Sequence, residues 1–252
     1  MNILEVKKLN YKVGNKTILN NISFKIEKGS FTTILGKNGS GKSTILKFIT
    51  NNIKSDSIFL NEINLNKYTD LERSLKIAYI SQLNYSLVDY TVLEYVLMAR
   101  MPYQSFWKDY STEDINIAFK YLKMFNILSL KNRKISTLSG GEFQKVNLAR
   151  ACTQETDIII LDEATSALDI SASTKVLDYL KELNKKYNKT IIMVLHDLNK
   201  AYKYSDNVIL LKDGNLIEYG KTKEILNVKN IKKCFDIDSK FIKNNKEEFI
   251  IF

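Results

Sequence analysis

Three short stretches of this 252-residue chain carry residue types that could act on a phosphate ester. The first, Gly36-Lys37-Asn38-Gly39-Ser40-Gly41-Lys42-Ser43-Thr44, fits G-x-x-x-x-G-K-[ST]. Glycines let a backbone curl until its N–H groups face phosphate oxygens, and a helix N-terminus behind them adds the positive end of its dipole. In such a loop Lys42 reaches the β- and γ-phosphates and Ser43 ligates Mg²⁺. The second stretch, Asp157-Ile-Ile-Ile-Leu-Asp162-Glu163, is an apolar run ending in two acids. Phosphoryl transfer needs a carboxylate to hold the metal and a group to position the attacking water. Asp162 suits the first role and Glu163 the second. The third, Leu138-Ser139-Gly140-Gly141-Glu142-Phe143-Gln144, precedes a helical stretch reaching Ala149-Arg150. Ser139-x-x-Glu142 has the spacing of a capping box. A serine and two glycines therefore stand at a helix N-terminus, a second anion site. One chain needs two such sites only if both face one nucleotide, or if one serves a nucleotide held by a partner chain.

The elements around these stretches are legible from periodicity. Ile22, Phe24 and Ile26 alternate with polar neighbours, the period of a half-buried strand, and Lys28-Gly29 is the turn after it. Phe31 to Leu35 is a short apolar strand running into Gly36, and Ile45, Leu46, Phe48 and Ile49 have helical spacing behind the loop. From about 88 to 137 the texture becomes helical: Thr91-x-x-Glu94 is a capping-box pattern, and Ile115, Phe119, Leu122 and Phe125 recur at helical spacing. Asp157–Leu161 and Thr190–Leu195 read as buried strands, with an amphipathic helix through Val176, Leu177, Leu180 and Leu183 between them. Strand, helix, strand implies parallel crossovers. Asn207–Lys212 and Asn215–Tyr219 around Asp213-Gly214 read as a hairpin with a type I′ turn. The whole is an α/β chain in which a helical insert separates two halves of a core.

Composition excludes several classes. One histidine, one proline and two cysteines leave no room for a disulfide scaffold or a Cys/His zinc cage. No apolar run approaches the ~20 residues that a spanning helix needs, and the N-terminus lacks the apolar core of a signal peptide. The net charge of +10 is not concentrated: residues 61–174 carry 12 basic and 14 acidic side chains, a net −2, and no aromatic-interleaved basic stripe stands out. No nucleic-acid partner is expected.

In combination and order these motifs resemble the ATP-binding subunit of ABC (ATP-binding cassette) transporters, over roughly residues 3–235. The Gly36–Thr44 loop resembles the family's Walker A motif, Leu138–Gln144 its signature, and Asp157–Glu163 its Walker B strand with the catalytic glutamate. Other landmarks fall at matching places. Tyr11 matches the aromatic that stacks on adenine, Gln82 the Q-loop glutamine, Ser166-Ala167-Leu168-Asp169 the D-loop, and His196 the switch histidine that contacts the γ-phosphate. The closest texture is that of importer ATPases for iron–siderophore complexes, haem and cobalamin. It lies in Met98–Tyr103, Ala149–Glu155 and His196–Ala201.

The resemblance implies a P-loop NTPase (RecA-like) core with an N-terminal antiparallel β-subdomain and an inserted α-helical subdomain. The expected division is 1–87 and 138–235 for the ATPase core, 88–137 for the helical subdomain and 236–252 for a C-terminal extension. It implies ATP and Mg²⁺ as cofactors. Gly36, Asn38, Gly39, Ser40, Gly41, Lys42, Ser43 and Thr44, with Tyr11, would bind nucleotide. Ser43, Gln82 and Asp162 would serve the metal, and Glu163, His196, Gln82 and Lys42 catalysis. It further implies a head-to-tail homodimer, in which Ser139, Gly140, Gly141 and Glu142 of one copy meet the ATP of the other and Asp169 communicates across the interface. A membrane permease would dock at a groove beside Gln82 and the helical insert, with an extracytoplasmic substrate-binding protein acting indirectly. The expected location is cytoplasmic, on the inner face of the plasma membrane. The other readings are importers of haem, cobalamin or metal ions, a soluble ABC ATPase such as one of iron–sulfur cluster assembly, and a non-catalytic scaffold. The last would require loss of Lys42, Glu163 or His196, and all are present. Two positions depart from the family pattern. Ala164 stands where Asp-Glu-Pro-Thr is usual, and Glu142 where many members carry glutamine. The last fifteen residues, Asp238 to Phe252, match no family motif and read as a strand or arm with Lys and Glu facing water.

Overall fold

The computed structural model describes residues 1–81, 90–104, 109–163, 168–244 and 247–252, with the side chains of Asn244 and Glu247 excepted. The chain divides into two compact units, Met1–Lys67 with Thr190–Phe252, and Tyr68–Lys189.

The first unit opens with strands β1 (Asn2–Val13), β2 (Lys16–Glu27) and β3 (Phe31–Gly36), helix α1 (Lys42–Ile49), and short strands β4 (Ile58–Leu60) and β5 (Ile63–Asn64). The second unit holds α2 (Asp70–Ser74), β6 (Ile77–Ile80), α3 (Val92–Leu97), α4 (Thr112–Met124), α5 (Gly140–Thr153), β7 (Ile158–Leu161) and α6 (Ile170–Tyr187). The chain then returns to the first unit with β8 (Thr190–Val194), α7 (Leu198–Tyr204), β9 (Asn207–Lys212), β10 (Asn215–Lys221), α8 (Thr222–Ile225), α9 (Val228–Phe235), β11 (Lys240–Asn244) and β12 (Glu247–Ile251).

In the first unit the strands lie in the order β5-β4-β1-β2-β10-β9-β3-β8. β1 and β2 pair antiparallel, and in β2 Ile22, Phe24 and Ile26 are buried while their neighbours face water, as alternation requires. β3 is different. Every one of its residues is buried, and it pairs parallel with β8 and β9. A parallel strand covered on both faces reads as a continuous apolar run rather than an alternating one. The β9–β10 turn has Asp213 at φ 48° and Gly214 at φ 74°, the two positive angles that a type I′ turn demands.

The C-terminal residues form an antiparallel hairpin, β11 with β12, in which Lys240, Lys243 and Glu248 are exposed, as the strand reading expected. Asn199 of α7 clamps it: its side-chain amide donates to the carbonyl of Ile250 (2.9 Å) and its oxygen accepts from the Ile250 N–H (2.7 Å). Ile250 is buried, the Phe241 ring lies 5.6 Å from Tyr202, and Tyr202 donates to Glu248. The register therefore turns Phe241, Ile250 and Glu248 toward α7, and the other face exposes Ile242, Phe249 and Ile251.

In the second unit β6 and β7 pair parallel, both short and mostly buried. Around them α3, α4 and α5 share a core fixed by polar pins. Tyr95 donates to Asn147 (2.7 Å) and its ring meets Phe143. Arg100, only 6% exposed, bonds Asp114 (2.8 Å) and the carbonyl of Thr153 (3.1 Å) and lies over the ring of Tyr103. Helical structure starts earlier than 88: α2 is capped by a Thr69–Glu72 box, a T-x-x-E signal present in the sequence. No helix among the described residues is long and apolar enough to cross a membrane.

Candidate functional site

In the first unit the buried strand β3 delivers Gly36 to the start of the loop, and α1 begins at Lys42. Close packing explains the first glycine: a Cβ on Gly36 would collide with the carbonyl oxygen of Leu211 and lie 2.6 Å from Ser40 Oγ. Gly41 precedes the helix at φ 99°, and a Cβ there would meet Leu19 at 2.6 Å. The loop is thus curled by necessity. Lys42 is 95% buried, yet its ammonium reaches back along the loop to the carbonyls of Gly36 and Lys37, both at 2.9 Å. A buried cation held by two carbonyls on a curled loop is poised for a stronger acceptor such as a phosphate. Ser40 Oγ is buried with no hydrogen-bond partner among the described residues, a polar group of the kind that a ligand satisfies. Asn38 and Gly39 are exposed at the tip, Gly39 at φ 80° with open space around its Cα, while Ser43 and Thr44 are half-buried in the first turn of α1.

His196 emerges beside this loop. β3 and β8 are in register with Ile34 opposite Val194, so Gly36 and His196 each stand two residues beyond a matched pair. The Leu195 N–H reaches Ile34 O at 3.4 Å, and Asp197 caps α7 by accepting from Lys200 N. His196 itself is exposed. Tyr11, half-buried in β1, sets its ring edge-on to Phe48 of α1 with centroids 5.1 Å apart.

In the second unit the register of β6 and β7 pairs Ile80 with Leu161, and the next residue, Asp162, donates its N–H to Ile80 O at 2.9 Å. Asp162 is 5% exposed. Its charge adds to burial, the larger cause, in pushing the Tyr79 hydroxyl up to about 12. Glu163 follows at φ 51°, a left-handed backbone that costs a non-glycine residue on the order of 1–2 kcal/mol. Gln82 lies outside the described residues, as do Ala164 to Ala167, so the Q-loop glutamine and the first half of the D-loop have no structural account. Asp169 is exposed and caps α6, accepting from Ala172 N at 2.8 Å.

The signature stretch forms a closed capping box at the start of α5. Ser139 Oγ accepts from Glu142 N (3.3 Å) and donates to Glu142 Oε2 (2.8 Å), which also takes the Ser139 N–H (2.8 Å). The Ser139 backbone N–H, then its hydroxyl, hold the Glu142 carboxyl below its ordinary pKa. Ser139 is exposed, and among the described residues a Cβ on Gly141 would touch only Leu168 at 3.7 Å, so this helix end presents hydroxyl and backbone to an incoming group. Sequence reasoning missed Arg133, whose guanidinium lies 3.5 Å from Glu142 Oε1 and donates to Thr137 O. Nothing in the spacing marks it, because the contact depends on how the 131–138 segment turns.

The first unit supplies backbone N–H groups, an ammonium and an orphaned hydroxyl, groups that suit a polyphosphate. The Ser43 hydroxyl of the first unit and, separately, the Asp162 carboxylate of the second are oxygen donors of the kind that Mg²⁺ prefers. No cluster of three or more His, Cys, Asp or Glu occurs among the described residues, which sets aside a resident metal centre of that kind there. Cys152 and Cys234 are buried, their thiols pushed up to about 12 and about 11 by burial, which makes them inert.

The family model described as ABC transporter matches residues 19–166. An uncharacterized ABC transporter ATP-binding protein of Methanocaldococcus jannaschii is 38% identical over 247 residues, covering 96% of this chain and 94% of its own. The iron(3+)-hydroxamate import ATP-binding protein of Bacillus subtilis is 34% identical over 244 residues, 96% of this chain and 91% of its own. Among solved structures, a metal-chelate type ABC transporter in an inward-facing conformation superimposes with a TM-score of 0.85 at 27% identity, covering 99% of this chain and 96% of that one.

Proposed function

The chain belongs to the ABC transporter family, whose ATP-binding cassettes hydrolyse ATP to power transport, and from that premise we propose that it is the ATPase subunit of an importer for iron–siderophore complexes. The buried Lys42 ammonium on its glycine-curled loop, beside the orphaned Ser40 hydroxyl, is the observation that carries the ATPase assignment. The siderophore assignment rests on relatives such as the iron(3+)-hydroxamate import protein.

The roles follow from chemistry. The N–H groups of Gly39 to Thr44 and the Lys42 ammonium take the β- and γ-phosphates, exchanging two carbonyl acceptors for charged oxygens. Ser43, Asp162 and Gln82 would hold Mg²⁺, which when bound would supply charge neutralisation to the phosphates. Glu163 accepts a hydrogen bond from the attacking water and orients it in line. His196 and Lys42 stabilise charge developing on the equatorial oxygens. Tyr11 gives the base a face. Ser139 and the glycines of the signature serve the nucleotide of a second copy, with Asp169 at the same interface. The 88–137 segment and Gln82 form the docking side for a membrane permease, which holds the chain at the inner face of the membrane. Haem, cobalamin and metal-ion cargoes are the competing readings.

The test is to purify the chain with its membrane partner, reconstitute the complex in vesicles, and measure ATP-dependent uptake of ferric hydroxamate, haem and cobalamin, each with its binding protein. Uptake of the ferric siderophore alone supports the assignment. Uptake of another cargo replaces it, and a soluble partner with no permease refutes the importer reading.

A further inference from the structure

The phosphate loop is tied to the C-terminal part of the chain through Lys37, a variable position of the loop, and through residues that belong to none of the motifs. Lys37, the residue directly after Gly36, places its Nζ 2.7 Å from Asp236 Oδ2. Lys212, at the end of β9, places its Nζ 2.6 Å from the other oxygen, Asp236 Oδ1, and 3.0 Å from the carbonyl of Lys233. Asp236 closes α9 in the left-handed conformation, φ 60°, with its N–H on Lys232 O at 2.9 Å. The carboxylate is therefore aimed by the helix end and held by a second lysine that itself caps that helix. Its pKa is lowered to about 2, first by Lys212 and then by Lys37, so it is ionised at any working pH.

Lys37 is also where the loop converges. Its carbonyl accepts from Lys42 Nζ at 2.9 Å and from Ser40 N at 3.2 Å. The turn after β9 makes a second tie, Gly214 N to Ser40 O at 3.3 Å. Residues 212–236 thus grip the loop at a side chain on one flank and at a backbone carbonyl on the other. A loop held in the shape that its ligand needs binds with less ordering cost.

We propose that Asp236 is a positioning residue for nucleotide binding, which through Lys37 holds the phosphate loop in its receptive curl while Lys212 fixes the carboxylate. Asp236 acts through the loop. With two ammonium groups on one carboxylate the cluster keeps a net positive charge and does not repel a polyphosphate. This rests on the reading of Gly36–Thr44 as the nucleotide's phosphate cradle.

The experiment measures Kd for MgATP and MgADP by titration calorimetry, and kcat and KM for ATP, on the full chain. The variants are Asp236→Asn, Asp236→Glu, Lys37→Met and the Asp236→Asn/Lys37→Met pair. The tie is solvent-exposed, so Asp236→Asn is expected to raise Kd and KM about two- to fivefold with kcat unchanged. Asp236→Glu recovers most of the affinity, and the double variant binds no worse than Lys37→Met alone. At high salt the wild type falls to the level of Asp236→Asn. A lowered melting temperature with unchanged Kd, additive losses in the double variant, or a change confined to kcat overturns the proposal. Lys42→Ala separates the two readings. If it binds MgATP as the wild type does, the cradle reading falls and this inference with it. If it loses binding while Asp236→Asn does not, the inference alone falls.

Discussion

Alanine substitutions along the phosphate loop should rank in an order that the backbone dictates. Gly39, Gly41 and Gly36 share a residue type and a loop but differ in what a Cβ would meet. At Gly39 no described residue lies within 4 Å of the new Cβ, and the cost is that of placing alanine at φ 80°. A left-handed alanine costs about 1–2 kcal/mol. At Gly41 the backbone cost recurs at φ 99°, and the new Cβ lies 2.6 Å from Leu19 Cδ2, in a fully buried side chain with little room to withdraw. Overpacking of that kind adds about 1–3 kcal/mol, giving roughly 2–5 kcal/mol in all. At Gly36 the obstacle is the Leu211 carbonyl, which is locked in the β3–β9 ladder and cannot rotate away, so the loss is at least as large as at Gly41. At about 2–4 °C per kcal/mol for a chain of this size, Gly39→Ala lowers the melting temperature by roughly 2–8 °C and Gly41→Ala by roughly 4–20 °C. Differential scanning fluorimetry without nucleotide reads the series. Equal shifts at all three positions, or Gly39→Ala as the worst, would refute the packing account of the loop.

Arg100→Leu removes the counter-ion of the buried Asp114 carboxylate, leaving it the Ser111 hydrogen bonds alone, and should cost about 3–5 kcal/mol by urea denaturation; a loss below 1 kcal/mol would show that the pair is not the pin between the 98–103 turn and α4. Glu142 has its folded pKa lowered, so its contribution is fully present above the unfolded carboxylate value and is lost as pH falls through the folded one. Glu142→Gln should therefore lower stability at neutral pH and flatten the acid side of a stability-against-pH curve below about pH 4.5, where the two curves converge. Asn199→Ala removes both hydrogen bonds to Ile250 and should release the β11–β12 hairpin, seen as faster amide exchange at Ile250 and cleavage within 238–252 by a dilute protease; unchanged exchange would show that the rings of Tyr202 and Phe241 suffice.

Local features were legible in the sequence because local chemistry sets them. The 31–35 strand and the helix after Gly41 appear where the apolar run and helical spacing put them. The Thr91–Glu94 and Ser139–Glu142 boxes both close with the side chains that the motif names. Asp213-Gly214 takes the turn its residues favour. What could not be read depends on long-range pairing. β10 joins β2 through Asn215 opposite Asn20, a contact 195 residues apart. Lys37 meets Asp236 across 199 residues, and neither residue type is distinctive. Which face of the C-terminal hairpin docks is hidden for the same reason: alternation fixes which residues share a face, and only the docking of Ile250 on α7 decides which face is inward.

The central claim is that this chain hydrolyses ATP with the water-orienting carboxylate at Glu163. The direct measurement is steady-state ATP turnover of Glu163→Gln beside the wild type, with MgATP binding measured on the same preparations. Turnover should fall by about 10²–10⁴-fold, the usual share of a general base, while ATP still binds. Near-wild-type turnover in Glu163→Gln, with binding intact, would contradict the account.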